Sequence, residues 1–181
     1  MQKKWEALKE FSSARLEVFR WEDLLESGEA RKPLEDALTT ILTPAVLAHL
    51  PPSLHLGAGK NAIDAWISAR AAESHVFVVQ LRGSSEIIGL LIMVELPAEK
   101  DVRTLHLGYL LGESAWGKGF ATELVSGLVS SARFEDNTQI IGGVDKNNGA
   151  SARVLLKAGF KRSAALSTPE TDQFVYIAPS S

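Results

Sequence analysis

Between residues 105 and 122 an apolar segment, a glycine-containing turn and the beginning of a helix follow each other directly. Glycine at 117 and 119 allows a tight turn and lets a ligand come close to the backbone, since neither residue carries a Cβ atom. The next residues place apolar side chains at the helical period and predict a helix from Gly119 to about Arg133. Amide groups at a helix N-terminus, together with the helix dipole, attract anions. The segment therefore predicts a phosphate-binding turn.

A nucleoside triphosphate is one candidate for that phosphate, because Gly112 to Lys118 fits the P-loop spacing G-x-x-x-x-G-K. The segment Ile140 to Asp145 would then supply the aspartate that holds magnesium. A P-loop, however, needs a hydroxyl group directly after the lysine, where this chain has Gly119, and Thr122 lies a full turn too late. Only 63 residues (181 minus 118) follow the lysine, too few for several further strand–helix units. We therefore reject the P-loop interpretation.

The same turn resembles the coenzyme A pyrophosphate site of the GNAT family of acyl-CoA-dependent N-acyltransferases. The family signature is Q/R-x-x-G-x-G/A, and Trp116 to Ala121 (WGKGFA) occupies it here. Tryptophan in the first position is similar to the RimJ/RimL-like branch, the N-terminal acetyltransferases of ribosomal proteins. Gly108-Tyr109 resembles the E-I-G-Y of that branch.

A second segment, Val144 to Phe160, is similar to the N-x-x-S-x-x-v-l-x-K-x-G-F pattern of the same branch, with Asn148 and Ser151 at the matching positions. The motifs follow each other at compatible spacing over Glu86 to Phe160, about half the chain. The resemblance extends only loosely to the N-terminal third.

The resemblance implies acetyl-CoA as co-substrate, with the pyrophosphate bound by the backbone of residues 117–122. A backbone N–H near Leu110 or Leu111 would bind the thioester oxygen, and the pantetheine arm would pair with that strand edge. Asn148 is expected to order its loop and to reach the pantetheine amide. The expected cofactor-binding residues are Leu110, Leu111, Trp116, Gly117, Lys118, Gly119, Phe120, Ala121, Thr122 and Asn148.

Two residues are candidates for catalysis. Ser151 stands where the family assists the leaving thiolate, although the tyrosine that many members carry one turn later is Leu155 here. A thiol of pKa about 8.5 leaves almost unaided, so a hydroxyl group suffices. Capping of the helix N-terminus is the alternative role of Ser151.

The second candidate is His106, which stands where the branch often carries glutamate, two residues before the Gly-Tyr pair. An imidazole with a pKa near 6.5 is a suitable general base at neutral pH. An ordinary strand histidine is the alternative interpretation. Glu95 and Glu113 are the fallback candidates for the base, and Glu113 is expected to lie too close to the phosphates.

Composition excludes several other classes of protein. The chain has no cysteine, and its four histidines show no metal-ligand spacing, so we expect neither disulfides nor a metal site. A net charge of −3 gives no support for nucleic-acid binding. We expect a cytoplasmic protein with no membrane partner, because no run approaches the roughly 18 apolar residues of a membrane span and the first residues are polar.

The predicted order of elements is mixed α/β. The resemblance implies one GNAT-like domain over residues 1–181, with a mixed, mostly antiparallel sheet that is split at the acyl-CoA site and flanked by helices. Residues 86–163 would form the acyl-CoA-binding core, and residues 22–75 the acceptor-side helices, with Trp21, Trp66 and Tyr109 as possible aromatic walls of the acceptor pocket. The pattern predicts strands at 13–20, 76–81, 86–95, 103–111, 139–144, 160–165 and 173–177. It predicts helices at 22–50, 62–72, from 119, and at 150–158. The first of these helices is in two pieces, broken at Gly28 and again before Pro44.

These observations predict an acetyl-CoA-dependent N-acetyltransferase that acts on a primary amine by direct attack, preferably on a protein or peptide N-terminus. At pH 7, deprotonation costs roughly 1.4 kcal/mol for an α-amine of pKa about 8 and roughly 4.6 kcal/mol for a lysine side chain, so an α-amine tolerates a weak base. A small-molecule amine acceptor and a non-catalytic acyl-CoA-binding module are the alternatives. The expected partner is the amine acceptor, and the expected assembly is a monomer or homodimer.

Overall fold

The computed structural model describes residues 10–99, 102–131 and 137–179. Strands β1 to β4 span Phe11–Ser12, Leu16–Arg20, His75–Leu81 and Ile87–Glu99, and strands β5 to β8 span Val102–Leu111, Thr138–Asp145, Lys161–Ser163 and Thr171–Ile177. Helices α1 to α6 span Glu22–Glu26, Gly28–Ile41, Pro44–Leu47, Ala62–Glu73, Phe120–Ser131 and Gly149–Lys157. Short 3₁₀ helices occupy Pro52–Leu54 and Glu113–Ala115.

The strands form one eight-stranded sheet in the order β1-β2-β3-β4-β5-β6-β8-β7. Neighbouring strands are antiparallel except β5 and β6, which run parallel and are joined through α5. The prediction of a mixed, mostly antiparallel sheet flanked by helices is therefore confirmed.

The parallel pair opens toward its carboxyl end. Pairing between β5 and β6 runs from Arg103 opposite Thr138 to Leu107 opposite Gly142. Both strands continue beyond this point, β5 to Leu111 and β6 to Asp145, without pairing to each other. The helices that follow these strands, α5 and α6, begin at this end of the sheet. The result is a gap in the sheet, bordered by the last four residues of β5.

Two hydrophobic cores cover the two faces of the sheet. Because side chains alternate along a strand, Leu105, Leu107 and Leu111 point to the first core, which α5 and α6 cover, whereas Leu110 belongs to the second core, beneath α2, α3 and α4. We call these the α5/α6 face and the α2–α4 face. Trp21 and Trp66 are buried in the second core, and their interpretation as aromatic walls of an acceptor pocket stays a prediction. Tyr109 packs against the first core instead.

The predicted elements are present, with shifted boundaries. The strand predicted from Ser13 begins only at Leu16, because the Ser13 N–H donates to the Leu16 carbonyl in a turn that connects β1 to β2. The helical stretch after Glu22 breaks at Ser27 and again before Pro44, close to the predicted positions. The predicted end of α5 near Arg133 lies outside the described residues.

Candidate active site

The turn before α5 has the backbone that its glycines predict. Gly117 and Gly119 have φ angles of +71° and +80°, in the left-handed region that residues with a side chain seldom adopt. The Glu123 N–H donates to the Gly119 carbonyl at 3.1 Å and opens the hydrogen-bond ladder of α5. The amides of residues 120–122 precede that bond and have no helical partner, so they can bind an anion. The side chain of Phe120 is buried, which leaves its backbone for a ligand.

An arginine from the N-terminal part of the chain holds this turn by a hydrogen bond. Arg15, in the connection between β1 and β2, donates through Nη1 to the Lys118 carbonyl at 3.0 Å and through Nε to Glu123 Oε2 at 2.7 Å. Its guanidinium carbon lies 4.4 Å from the centre of the Phe120 ring. Sequence reasoning missed Arg15, because 103 residues separate it from Lys118 and no local pattern relates the two.

Glu123 receives further hydrogen bonds from the same connection. The Ser13 hydroxyl donates to Oε1 at 2.7 Å, and the Arg15 backbone N–H donates to the same oxygen at 2.8 Å. Burial acts to raise the pKa of Glu123, but these hydrogen bonds and the charge of Arg15 lower it overall. A charged carboxylate is thus held in the first turn of α5.

Trp116, the first residue of the predicted signature, ties the turn to the end of β5. Its indole Nε1 donates to the Leu111 carbonyl at 2.8 Å, and its ring lies edge-on to His49 at 6.2 Å between centroids. The side chain is 42% exposed. Because the indole N–H already donates to the Leu111 carbonyl, Trp116 can contact a ligand only through its ring and its backbone.

Of the two leucines expected to offer an N–H to the thioester, Leu111 fits the ladder geometry. The Gly112 N–H donates to Ile88 of β4, and the Arg103 N–H donates to Asn137 on the β6 side. Because backbone groups alternate in direction along a strand, even-numbered residues of β5 point toward β4 and odd-numbered ones toward β6. The Leu110 N–H is therefore committed to β4, whereas the Leu111 N–H points toward the gap. Of the two leucines, Leu111 therefore stays the predicted donor of the N–H that binds the thioester oxygen.

Ser151 lies in the first turn of α6 and meets a side chain from β5. Its hydroxyl Oγ is 2.8 Å from the Tyr109 hydroxyl. The helix cap is supplied by Asn148, whose Oδ1 accepts from the Ser151 backbone N–H at 3.1 Å. This bond ties the loop before α6 to the helix, and contact of Asn148 with pantetheine stays a prediction. Since Asn148 performs the capping, the Ser151 hydroxyl is left for another role.

The sequence did not predict the contact of Tyr109 with Ser151. Burial raises the pKa of its phenol, and the hydrogen bond with Ser151 offsets part of that rise. The phenol is therefore neutral at physiological pH. The Gly-Tyr motif marked this tyrosine, but its contact with Ser151, 42 residues away, depends on where α6 lies over the sheet.

His106 is half-buried on the α2–α4 face, opposite Val94 of β4 and Ile141 of β6. It lies one register position before Leu107, the last residue of β5 that pairs with β6. Burial lowers the pKa of the imidazole below 6.5, so the ring is neutral at pH 7. His106 and Ser151 consequently lie on opposite faces of the sheet, and His106 lies in the paired part of β5, two residues before the gap begins.

The two fallback bases have other partners. Glu95 is opposite Leu105 on the α5/α6 face, and its Oε1 accepts from Arg103 Nε at 3.1 Å. Glu113 lies in the 3₁₀ helix before the turn and accepts a hydrogen bond from the Thr43 hydroxyl. Glu95 therefore lies on the opposite face of the sheet from His106, and Glu113 lies beyond the end of β5.

Comparison with known proteins agrees with this architecture. A model of the GNAT acetyltransferase domain matches residues 31–161. The chain belongs to the GNAT acetyltransferase family. It is accordingly an N-acetyltransferase that uses acetyl-CoA as co-substrate. A search of curated protein sequences finds no match.

Solved structures share the fold at low sequence identity. A probable GNAT acetyltransferase from Chromobacterium violaceum superposes with a TM-score of 0.68 at 17% identity, covering 98% of this chain and 93% of that one. The Salmonella typhimurium enzyme that modifies the N-terminal serine of ribosomal protein L7/L12 gives 0.63 at 14% identity, with coverages of 92% and 97%. RimL in complex with coenzyme A gives 0.63 at 15%, with coverages of 91% and 95%.

Within residues 10–99, 102–131 and 137–179, no helix is long and apolar enough to span a membrane. Over the same ranges, no three histidine, aspartate or glutamate side chains are grouped so as to hold a metal ion.

Proposed function

We propose that this acetyltransferase acts on the N-terminal α-amine of a protein or peptide. The observation that carries the proposal is the neutral, half-buried His106 on the α2–α4 face, two residues before the gap begins at Gly108. An imidazole there can accept one proton from an amine that enters from this face. Structural neighbours that modify a ribosomal protein N-terminus give independent support.

The energetics favour an α-amine over a lysine side chain. At pH 7 the α-amine is about 3 kcal/mol easier to deprotonate, a factor of more than 100. His106, whose pKa burial lowers, is a weaker base than an unperturbed imidazole. A weak base matches an acceptor that needs little help, and it is a poor match for a lysine.

Each step can be assigned to a residue of this chain. Acetyl-CoA supplies a thioester whose carbonyl carbon the amine nitrogen attacks. The amides of residues 120–122 hold the pyrophosphate, and the Leu111 N–H stabilises negative charge on the carbonyl oxygen. His106 takes the proton that the amine loses through water molecules, because five residues of extended strand, roughly 16 Å, separate it from Leu111. When the carbon–sulfur bond breaks, the electron pair stays on sulfur, and the Ser151 hydroxyl donates a hydrogen bond to it.

A panel of matched acceptors tests the choice of amine. Purified protein and acetyl-CoA are incubated with one peptide that has a free N-terminus and no lysine. The second peptide has the same length, a blocked N-terminus and one internal lysine, and a polyamine and an aminoglycoside complete the panel. Release of free CoA gives the rate, and mass spectrometry of the peptide locates the acetyl group.

We expect acetylation of the free N-terminus and at least tenfold slower reaction of the blocked peptide. Varying the first residue of the reactive peptide then defines the sequence preference. Faster transfer to the polyamine, the aminoglycoside or the internal lysine would contradict an α-amine acceptor and establish the small-molecule or side-chain alternative.

A further inference from the structure

We propose that Tyr109 is a positioning residue for the leaving group, acting through its hydrogen bond to Ser151 across the gap in the sheet. The inference rests on the proposed transfer at this gap, with Ser151 beside the departing sulfur.

The hydrogen bond joins the two halves of the split sheet. Tyr109 lies on β5, two residues past Leu107, where pairing with β6 stops. Ser151 lies in the first turn of α6, the helix that follows β6. Their hydroxyl oxygens are 2.8 Å apart. The contact therefore spans the opening where the strands have parted, in the layer between the sheet and α6.

The structure allows either hydroxyl to donate, and we assign the donor from the acidities of the two groups. The phenol is neutral, since burial holds its pKa above the ordinary value, and it carries a single hydrogen. A phenol is a stronger donor than an aliphatic alcohol, so Tyr109 donates and Ser151 Oγ accepts. The backbone at Ser151 is held by Asn148, which accepts from its N–H. The Ser151 hydrogen must then point away from Tyr109, and a sulfur atom placed in the gap is its acceptor.

Tyr109 orients Ser151 and keeps its own proton. As the carbon–sulfur bond breaks, the thiolate gains the electron pair and accepts a hydrogen bond from the Ser151 hydroxyl. Full transfer of the phenol proton to a thiolate of pKa about 8.5 would be unfavourable, because burial raises the pKa of Tyr109 above 10.0. The thiolate is protonated afterwards by solvent.

The local packing explains why a tyrosine on β5 serves here. Leu155, at the position where many relatives carry a tyrosine, is only 1% exposed and belongs to the first core. A Cβ atom on Gly142 would lie 2.9 Å from Leu155 Cδ1, so the leucine packs tightly against β6. The hydroxyl of Tyr109 approaches Ser151 from the opposite side of the gap.

The test uses Tyr109→Phe, Ser151→Ala and the double variant. The chain contains two tyrosines, and Tyr176→Phe is the matched control because Tyr176 packs on Phe160, at 5.4 Å between ring centroids. The first measurement is the pKa of the thiol of bound CoA, followed by the ultraviolet absorbance of the thiolate as a function of pH. The second is kcat and KM for acetyl-CoA with the best acceptor.

We expect Tyr109→Phe to raise the pKa of the bound thiol and to lower kcat about three- to tenfold, as for one lost hydrogen bond, with little change in KM. Ser151→Ala should do the same, and the double variant should be no worse than Ser151→Ala alone. Tyr176→Phe should behave as the unmodified protein.

Equal thiol pKa values in the unmodified protein and in Tyr109→Phe would overturn the proposal, as would additive losses of kcat in the double variant. The thiol titration needs no amine. A failure of the proposed N-terminal acceptor in the peptide panel therefore leaves this test intact and is distinguishable from it.

Discussion

Arg15 and Glu123 form an ion pair, with 2.6 Å between Nη2 and Oε2, that attaches the connection between β1 and β2 to the first turn of α5. The same guanidinium holds the Lys118 carbonyl. This bond turns the Lys118 carbonyl toward the protein, so the amides of residues 120–122 can face a ligand. The ion pair also places the Arg15 guanidinium beside the predicted pyrophosphate site. Although Glu123 pairs with this guanidinium, its Nη1 still donates to the Lys118 carbonyl.

Replacement of Arg15 by alanine should therefore weaken acetyl-CoA binding more than it weakens the fold. The arginine side chain is 47% exposed, and exposed ion pairs contribute only about 0–1 kcal/mol to stability. We expect the Kd of acetyl-CoA, measured by calorimetry, to rise about three- to tenfold, with a small change in Tm.

Arg162→Ala is the matched control, because Arg162 pairs with Asp172 at 2.7 Å and is 48% exposed. It should leave acetyl-CoA affinity unchanged. Equal affinities in the Arg15 and Arg162 variants would show that Arg15 contributes nothing to the turn.

Gly119→Glu should abolish CoA binding. A carboxylate at this position would lie where the pyrophosphate approaches the backbone, and like charges repel. A side chain at a φ of +80° is also strained, by roughly 1–3 kcal/mol. Gly119→Ala introduces the strain without the charge and should weaken binding only in part.

Gly83→Glu, in the turn between β3 and β4, combines a similar φ of +78° with the same charge and should bind CoA normally. Titration of CoA into each folded variant makes the comparison. Near-normal affinity of Gly119→Glu would disprove the assignment of the turn.

His106→Ala should slow acetyl transfer about ten- to a hundredfold, in the range of a lost general base. Because burial lowers the pKa of His106, the acidic limb of the rate profile should lie below pH 6.5. Above that limb the imidazole is neutral and can accept a proton. The limb should disappear in His106→Ala, as measured by kcat/KM from pH 5 to 9.

His75 provides the control, since burial and the charge of Arg20 lower its pKa as well, and it lies on β3. His75→Ala should keep the limb. A His106→Ala enzyme with unchanged rate and unchanged profile would make the histidine structural and leave a water chain as the base.

The lowered pKa of His106 also has a consequence for stability. The unfolded chain binds the proton more readily than the folded protein, so folding stability should fall as the pH falls through 6.5. Denaturant titrations at pH 5 and pH 8 measure the difference. The loss at low pH should be smaller in His106→Ala.

Acetyl-CoA should raise Tm, whereas ATP with magnesium should not. A ligand that binds only the folded state stabilises by about 2.7 kcal/mol at a hundredfold excess over Kd, or roughly 5–10 °C for a chain of this size. Differential scanning fluorimetry with each ligand gives the answer. A larger shift with ATP and magnesium would restore the P-loop interpretation.

Features that depend on neighbouring residues could be predicted from the sequence. The absence of a Cβ atom permits the left-handed φ angles of Gly117 and Gly119, and the apolar period after them predicts the start of α5. The cap at Asn148 reaches only three residues along the chain. The mixed α/β sheet followed from the order of such local elements and from the family resemblance.

Features that depend on distant residues came only with the tertiary structure. Strand alternation places His106 and Ser151 on opposite faces, and only the pairing of β5 with β6 reveals the gap that follows Leu107. The contact of Tyr109 with Ser151 spans 42 residues, and that of Arg15 with Lys118 spans 103. Sequence spacing carries no information about such pairs, because the packing of whole helices and strands decides which side chains meet.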